Sequence, residues 1–191
     1  MQRLENNYES IMILVSGMPA SGKSTLVEQL ASELRLPYFT KDGLKELLFD
    51  ADSVSIDELD EETSEPLGAQ AITALYHIAQ RILDAGGSVL LEANFRAELT
   101  RSQIEPFRSQ AIVRQVACKL PMSKIVERFE ERQKGDERHP VHAEVDDIEQ
   151  LVEDLERKDY GPIVGIPTLL VDTSDGFDPP FAEIARFCRE G

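Results

Sequence analysis

Cysteine is scarce in this chain of 191 residues: Cys118 and Cys188 are the only two, 70 positions apart and neither within a CxxC. That excludes a disulfide framework and fits reduced core thiols in a cytoplasmic protein. Long apolar runs are missing as well. The longest strongly apolar run is Ile11–Val15, far short of the ~20 residues that cross a bilayer. The opening MQRLENNYES has neither a basic start nor an apolar stretch, so neither an export signal nor a membrane anchor is expected. Basic residues are the third shortage: 20 Lys and Arg stand against 36 Asp and Glu, for a net charge of −16. Such a field repels polyanions unless cations are gathered at one place, which disfavours a nucleic-acid partner. Asp50–Pro66 alone holds eight acids and no base, and reads as a solvated loop or flap rather than a cation-binding surface.

No repeat and no linker divides the chain, and its length suits one domain, residues 1–191, with a core of its own. Apolar periodicity alternates between strand and helix. IMILVS (11–16) is a strand; Leu26, Val27, Leu30 and Leu34 recur at helical spacing until Pro37; PYFTKD is a short strand; and Leu44, Leu47 and Leu48 mark a brief helix. A second long helix is expected over Leu67–Leu83, with His77 half-buried within it, ending at Gly86-Gly87. SVLLEANF is a strand apolar on both faces, followed by a helix over Glu98–Ser109, strand AIVRQVACKL, helices over Ser123–Gln133 and Asp146–Lys158, strand TLLVD and a helix over Pro180–Arg189. This alternation predicts a three-layer α/β fold with a mostly parallel, five-stranded sheet, whose ligands collect at the carboxyl ends of the strands.

Between the first strand and first helix stands GMPASGKST, Gly17–Thr25, the full G-x-x-x-x-G-K-[ST] pattern. Glycines let successive N–H groups of Gly17, Met18, Pro19, Ala20, Ser21 and Gly22 (proline excepted) turn toward phosphate oxygens, and the helix starting at Lys23 adds its positive dipole end. Lys23 reaches the β- and γ-phosphates, the Ser24 hydroxyl is a hard ligand for Mg²⁺, and Thr25 is placed for the α-phosphate. The pattern predicts ATP with Mg²⁺. Glu92 closes an apolar strand where an unpartnered carboxylate is expensive, so it serves either a metal or a structural hydrogen bond. Asp42 precedes GLKELL and is either a general base or a helix N-cap.

GMPASGKST, KDGLK (41–45), LLEANF (90–95) and RFEERQKGDERHPVH (128–142), taken in order and spacing, resemble the small P-loop kinases grouped with chloramphenicol phosphotransferase, zeta toxins and the kinase domain of polynucleotide kinase. The likeness is closest to their relatives labelled AAA-type ATP-binding proteins, and it covers Ile11–Asp172. It implies a P-loop NTPase fold with strand order 2-3-1-4-5 and a mobile lid at about 134–145. It also implies an Asp base at Asp42, and Lys45 where the family often has Arg, which keeps the charge but loses the bidentate fork. Glu92 and Asn94 stand where the family usually shows Asp and Asn; Glu92 would hold magnesium through water. The acceptor pocket would involve Leu44–Leu83 and the surroundings of Arg96, with Asp42, Lys45, Asn94 and Arg96 on the acceptor. Arg128 and Arg132, four apart on one helix face, and Arg138 beyond them would serve the moving phosphate or the adenine.

His139 and His142 form an HxxH with no accompanying Cys or carboxylate group at metal-site spacing, so they read as lid structure. A GTPase is disfavoured because no late strand ends in Asn-Lys-x-Asp. The expectation is an ATP-dependent kinase, a monomer or homodimer, acting on a hydroxyl of a small neutral or cationic acceptor. The alternatives are a nucleotide-operated switch or adaptor with ATPase activity, and a kinase of nucleic-acid ends.

Overall fold

The structure, a computed structural model, describes residues 10–52, 61–133, 139, 141–142 and 148–190. Five strands, β1 (Ser10–Ser16), β2 (Tyr38–Thr40), β3 (Val89–Glu92), β4 (Ala111–Lys119) and β5 (Thr168–Asp172), form one sheet in the order β2-β3-β1-β4-β5. Every pairing is parallel. The helices are α1 (Lys23–Leu34), α2 (Lys41–Asp52), α3 (Glu61–Asp84), α4 (Ala97–Ile104), α5 (Met122–Gln133), α6 (Ile148–Arg157) and α7 (Phe181–Arg189).

The unbroken apolar run of β1 follows from its central place between two helical layers. Successive side chains on a strand point to opposite faces, so Met12 and Leu14 join Leu75, Leu91, Phe95 and Ile104 in one core. Ile13 and Val15 join Leu26, Leu30, Val116 and Ile184 in the other. A third cluster sets Ala20, from the turn after β1, against Ile125 and Phe129 of α5 and Leu155 of α6. The seam of α5 thus braces the glycine-rich turn from outside the sheet.

Four differences from the sequence reading have local causes. The long helix starts at Glu61 rather than Leu67, taking in the end of the acidic segment and running through Pro66 in its second turn, where the bond to residue 62 is lost. His77 is exposed rather than half-buried, since Ala71, Leu75 and Ala79 set the buried phase of α3 and His77 lies two positions off it. The helix expected over Glu98–Ser109 breaks into α4 and a 3₁₀ segment, Glu105–Ser109, at Pro106. The third strand ends at Glu92, and Ala93–Phe95 leave the sheet. No helix among the described residues is long and apolar enough to cross a membrane.

Candidate active site

Sheet register brings the site together. Glu92, the last residue of β3, pairs with Val15 on one side and Thr40 on the other. It therefore lies between the turn leaving β1 and the start of α2. The turn is held in shape at its ends. Gly17 has φ +143°, and a Cβ there would meet the Cys118 carbonyl at 2.6 Å, while Gly22 caps α1 at φ +81°. Both positions demand glycine.

Lys23 and Glu92 are buried, 6% and 4% exposed. The Lys23 Nζ donates to the Met18 carbonyl at 2.8 Å and stands 3.8 Å from Glu92 Oε1. Burial pushes the Lys23 ammonium below its usual range, an effect the Glu92 carboxylate partly offsets; burial pushes the Glu92 carboxyl up, and Lys23 partly offsets that. Each charge makes the other tolerable in a site that water hardly enters. Among the described residues the partner of Glu92 is the turn's own lysine, with no backbone or hydroxyl donor of the kind that holds a purely structural carboxylate.

Asp42 lies in the first turn of α2, exposed, and borders the same cleft. The N-cap of α2 is Thr40: its Oγ1 accepts the Gly43 N–H at 3.0 Å, the N-cap-to-N3 geometry. The capping role that the sequence left open for Asp42 thus belongs to Thr40, and Asp42 stays within the electrostatic reach of Lys23 and Glu92.

The cleft, about 260 Å³, is lined by Pro19–Ser24 of the turn, by Asp42, Glu92 and Asn94, and by Arg132 of α5 and His142. A larger cavity of about 520 Å³ lies beside it, between α2, α3 and the segment Asn94–Gln103. Lys41, Lys45 and Asn94 border both chambers. Lys41 was not singled out by its sequence; its position four before Lys45, on the same helix face, was the signal available.

The two arginines of α5 part company. Arg132 borders the cleft, whereas Arg128 lies beneath the turn, donating to the Ala20 carbonyl at 3.3 Å and the Thr173 carbonyl at 2.7 Å. One helical turn is enough to separate them, because Phe129 packs against Ala20 between them. Thr25 is exposed in the first turn of α1, and Met18 and Pro19 are half-buried. Arg138 and most of the lid expected at 134–145 lie outside the described residues. The part that is described docks on α2. His142 Nε2 meets Glu46 at 2.7 Å, His139 Nε2 meets Asp50 at 3.2 Å, and the Lys45 Nζ donates to the Val141 carbonyl at 3.1 Å. Each histidine of the HxxH thus meets a carboxylate of α2, and no cluster of three or more metal-ligating side chains occurs among the described residues.

A glycine-rich turn leading from a central parallel strand into a helix, its lysine facing a strand-end carboxylate, defines a P-loop NTPase of kinase-like build. The AAA domain family matches residues 12–157, and the chain belongs to that family. It is similar to the crystal structure of a candidate kinase from Chloroflexus aurantiacus J-10-fl, 34% identical with a TM-score of 0.82 over 95% of this chain and 98% of that one. Its fold is also that of Kti12 from Chaetomium thermophilum in complex with ADP-AlF3, with 22% identity and a TM-score of 0.65 over 94% of this chain and 100% of that one. A gluconokinase from Sinorhizobium meliloti 1021 shares the fold too, with 19% identity and a TM-score of 0.56 over 93% and 89%. No curated protein shows a significant sequence match.

Proposed function

We propose that this chain is a kinase that moves the γ-phosphate of ATP, with Mg²⁺, onto a hydroxyl of a small molecule. The observation that carries the reading is the pair of chambers: a phosphate-sized cleft with Lys23, Asp42 and Glu92, opening beside a separate cavity across Lys41, Lys45 and Asn94. A nucleotide-operated switch needs the first chamber and has no use for the second. The similarity to a candidate kinase supports the same reading, as does the nucleotide analogue bound by Kti12.

The donor set fits a magnesium nucleotide: backbone N–H groups at a helix start, the exposed Ser24 hydroxyl and the buried Glu92 carboxylate are hard ligands and anion donors in one cleft. Ser24 and Glu92 would hold magnesium, which neutralises charge on the phosphates. Lys23 neutralises the bridging oxygens, and Arg132 is the described lid-side cation that borders the cleft. Arg138 is proposed beside it on sequence alone, and Thr25 at the α-phosphate. Arg128 keeps a role at one remove, holding the P-loop backbone in place. Asp42, spared from capping, accepts the proton of the attacking hydroxyl. In that step the acceptor oxygen bonds to phosphorus as the bond to the ADP oxygen breaks.

Following labelled γ-phosphate from ATP into a pool of hydroxyl metabolites, and in parallel into 5′-hydroxyl RNA and DNA at low salt, tests this. Transfer to a small molecule is expected, reduced about 10²- to 10⁴-fold in Asp42→Asn while ATP·Mg²⁺ affinity is kept. ATP hydrolysis with no transfer to any acceptor, unchanged in Asp42→Asn, would instead favour the switch.

A further inference from the structure

We propose that the larger cavity recognises its ligand through an oxyanion, so that the acceptor is a small hydroxyl compound carrying a carboxylate or phosphate, gripped by Arg96 with Lys41 and Lys45 at the inner end. The word acceptor rests on the kinase reading; the oxyanion rests on the cavity alone.

Net charge leads one to expect a neutral or cationic acceptor, and the cavity wall reverses that expectation. In a chain with 36 acids and 20 bases, a wall drawn at random from its charged residues would carry more acids than bases. Among the described residues this wall carries Lys41, Lys45 and Arg96 and no carboxylate. The three are also placed. Lys45 is buried and fixed by its bond to the Val141 carbonyl at 3.1 Å. Arg96, exposed, precedes the first turn of α4 with Tyr160 within its electrostatic reach, and borders this cavity and not the phosphate cleft. Its charge therefore has no nucleotide to serve. Lys41 and Lys45 touch both chambers and face the junction where transferred phosphate and acceptor meet.

A neutral polar handle completes the wall. The Tyr76 hydroxyl is buried without a hydrogen-bond partner among the described residues. Burial pushes its pKa up to about 12, an effect the neighbouring Thr100 side chain partly offsets. Tyr76 thus stays a neutral donor. Its ring stacks near Phe95 and Phe107, at 6.4 and 6.0 Å between centroids. A volume of about 520 Å³ suits one small molecule.

The test is equilibrium binding of D-gluconate and of glucose 6-phosphate, each against D-glucose and glucosamine, with and without ADP·Mg²⁺, followed by the phosphate-transfer assay on the same compounds. Gluconate and glucose 6-phosphate separate a carboxylate from a phosphate as the group held. At least one anion is expected to bind about tenfold to a hundredfold more tightly than glucose, the worth of a charged hydrogen bond. Arg96→Gln should erase most of that preference and leave ATP affinity within about twofold. Lys41→Met, less specific because Lys41 borders both chambers, should weaken both ligands.

Equal or better binding of glucose or glucosamine, no binding by either anion, or preferential labelling of an oligonucleotide overturns the inference. The two readings fail separately. A protein that binds ATP and phosphorylates only neutral compounds loses the oxyanion and keeps the kinase. One that binds gluconate through Arg96 but no ATP loses the kinase and keeps the oxyanion site.

Discussion

The phosphate cleft and the larger cavity share Lys41, Lys45 and Asn94 yet are built from opposite materials. The cleft is mostly backbone: a turn whose glycines at 17 and 22 hold φ values few other residues adopt, ending on a helix dipole. The cavity is mostly side chains, offered by α2, α3 and the segment after β3. Phosphate is the same in every nucleotide, so a main-chain cradle suffices for it. An acceptor differs from enzyme to enzyme, and only side chains can be exchanged without disturbing the sheet.

Breaking the first chamber should cost most. Lys23→Met, which keeps the volume of a side chain only 6% exposed, is expected to lower phosphate transfer by about 10²- to 10³-fold. ATP titration and circular dichroism together read it. A folded variant with unchanged turnover would remove the P-loop from the chemistry. Breaking the second chamber should be milder and selective. Thr73 borders the cavity from the exposed side of α3, its hydroxyl donating to the Ala69 carbonyl one turn back. Thr73→Phe is therefore expected to raise the acceptor KM about tenfold with ATP KM unmoved. A rise in ATP KM instead would merge the two chambers into one site. The smallest effect lies at their junction. Thr40→Ala removes the cap of α2 and should lower stability by about 1 kcal/mol in denaturant unfolding, with Asp42→Asn close to neutral by the same measure. The reverse ranking would return the cap to Asp42.

The sheet could be read from the chain because β1 and β3 are central, walled by helices on both faces, and so apolar without interruption. Glycine, lysine and serine at fixed spacing made the cleft equally legible. Contacts that depend on one helical turn were less so. Arg128 and Arg132 share a face by periodicity, but Phe129 inserts between them and sends one beneath the P-loop and the other into the cleft. The role of Asp42 hinged on whether α2 starts at 41 or 43, the kind of boundary that periodicity places poorly. Lys41 stayed hidden because one lysine on an amphipathic helix has no signature; only the meeting of two chambers at α2 gives it one. Arg138 was legible as a motif position alone.

The anchoring of the P-loop at its far side reaches beyond local geometry. Thr173, just past β5, donates its hydroxyl to the Ser21 carbonyl at 2.8 Å, while Arg128 reaches Ala20 and Thr173 together. Two carbonyls of the turn are thus tied down by residues more than a hundred positions later, before any ligand arrives. The entropy of ordering that loop is spent during folding and not again at each encounter with a nucleotide. Nucleotide affinity then becomes a cooperative property of the C-terminal half. Fraying of α5 or slippage of β5 would weaken binding with every residue of the G-x-x-x-x-G-K-S pattern intact.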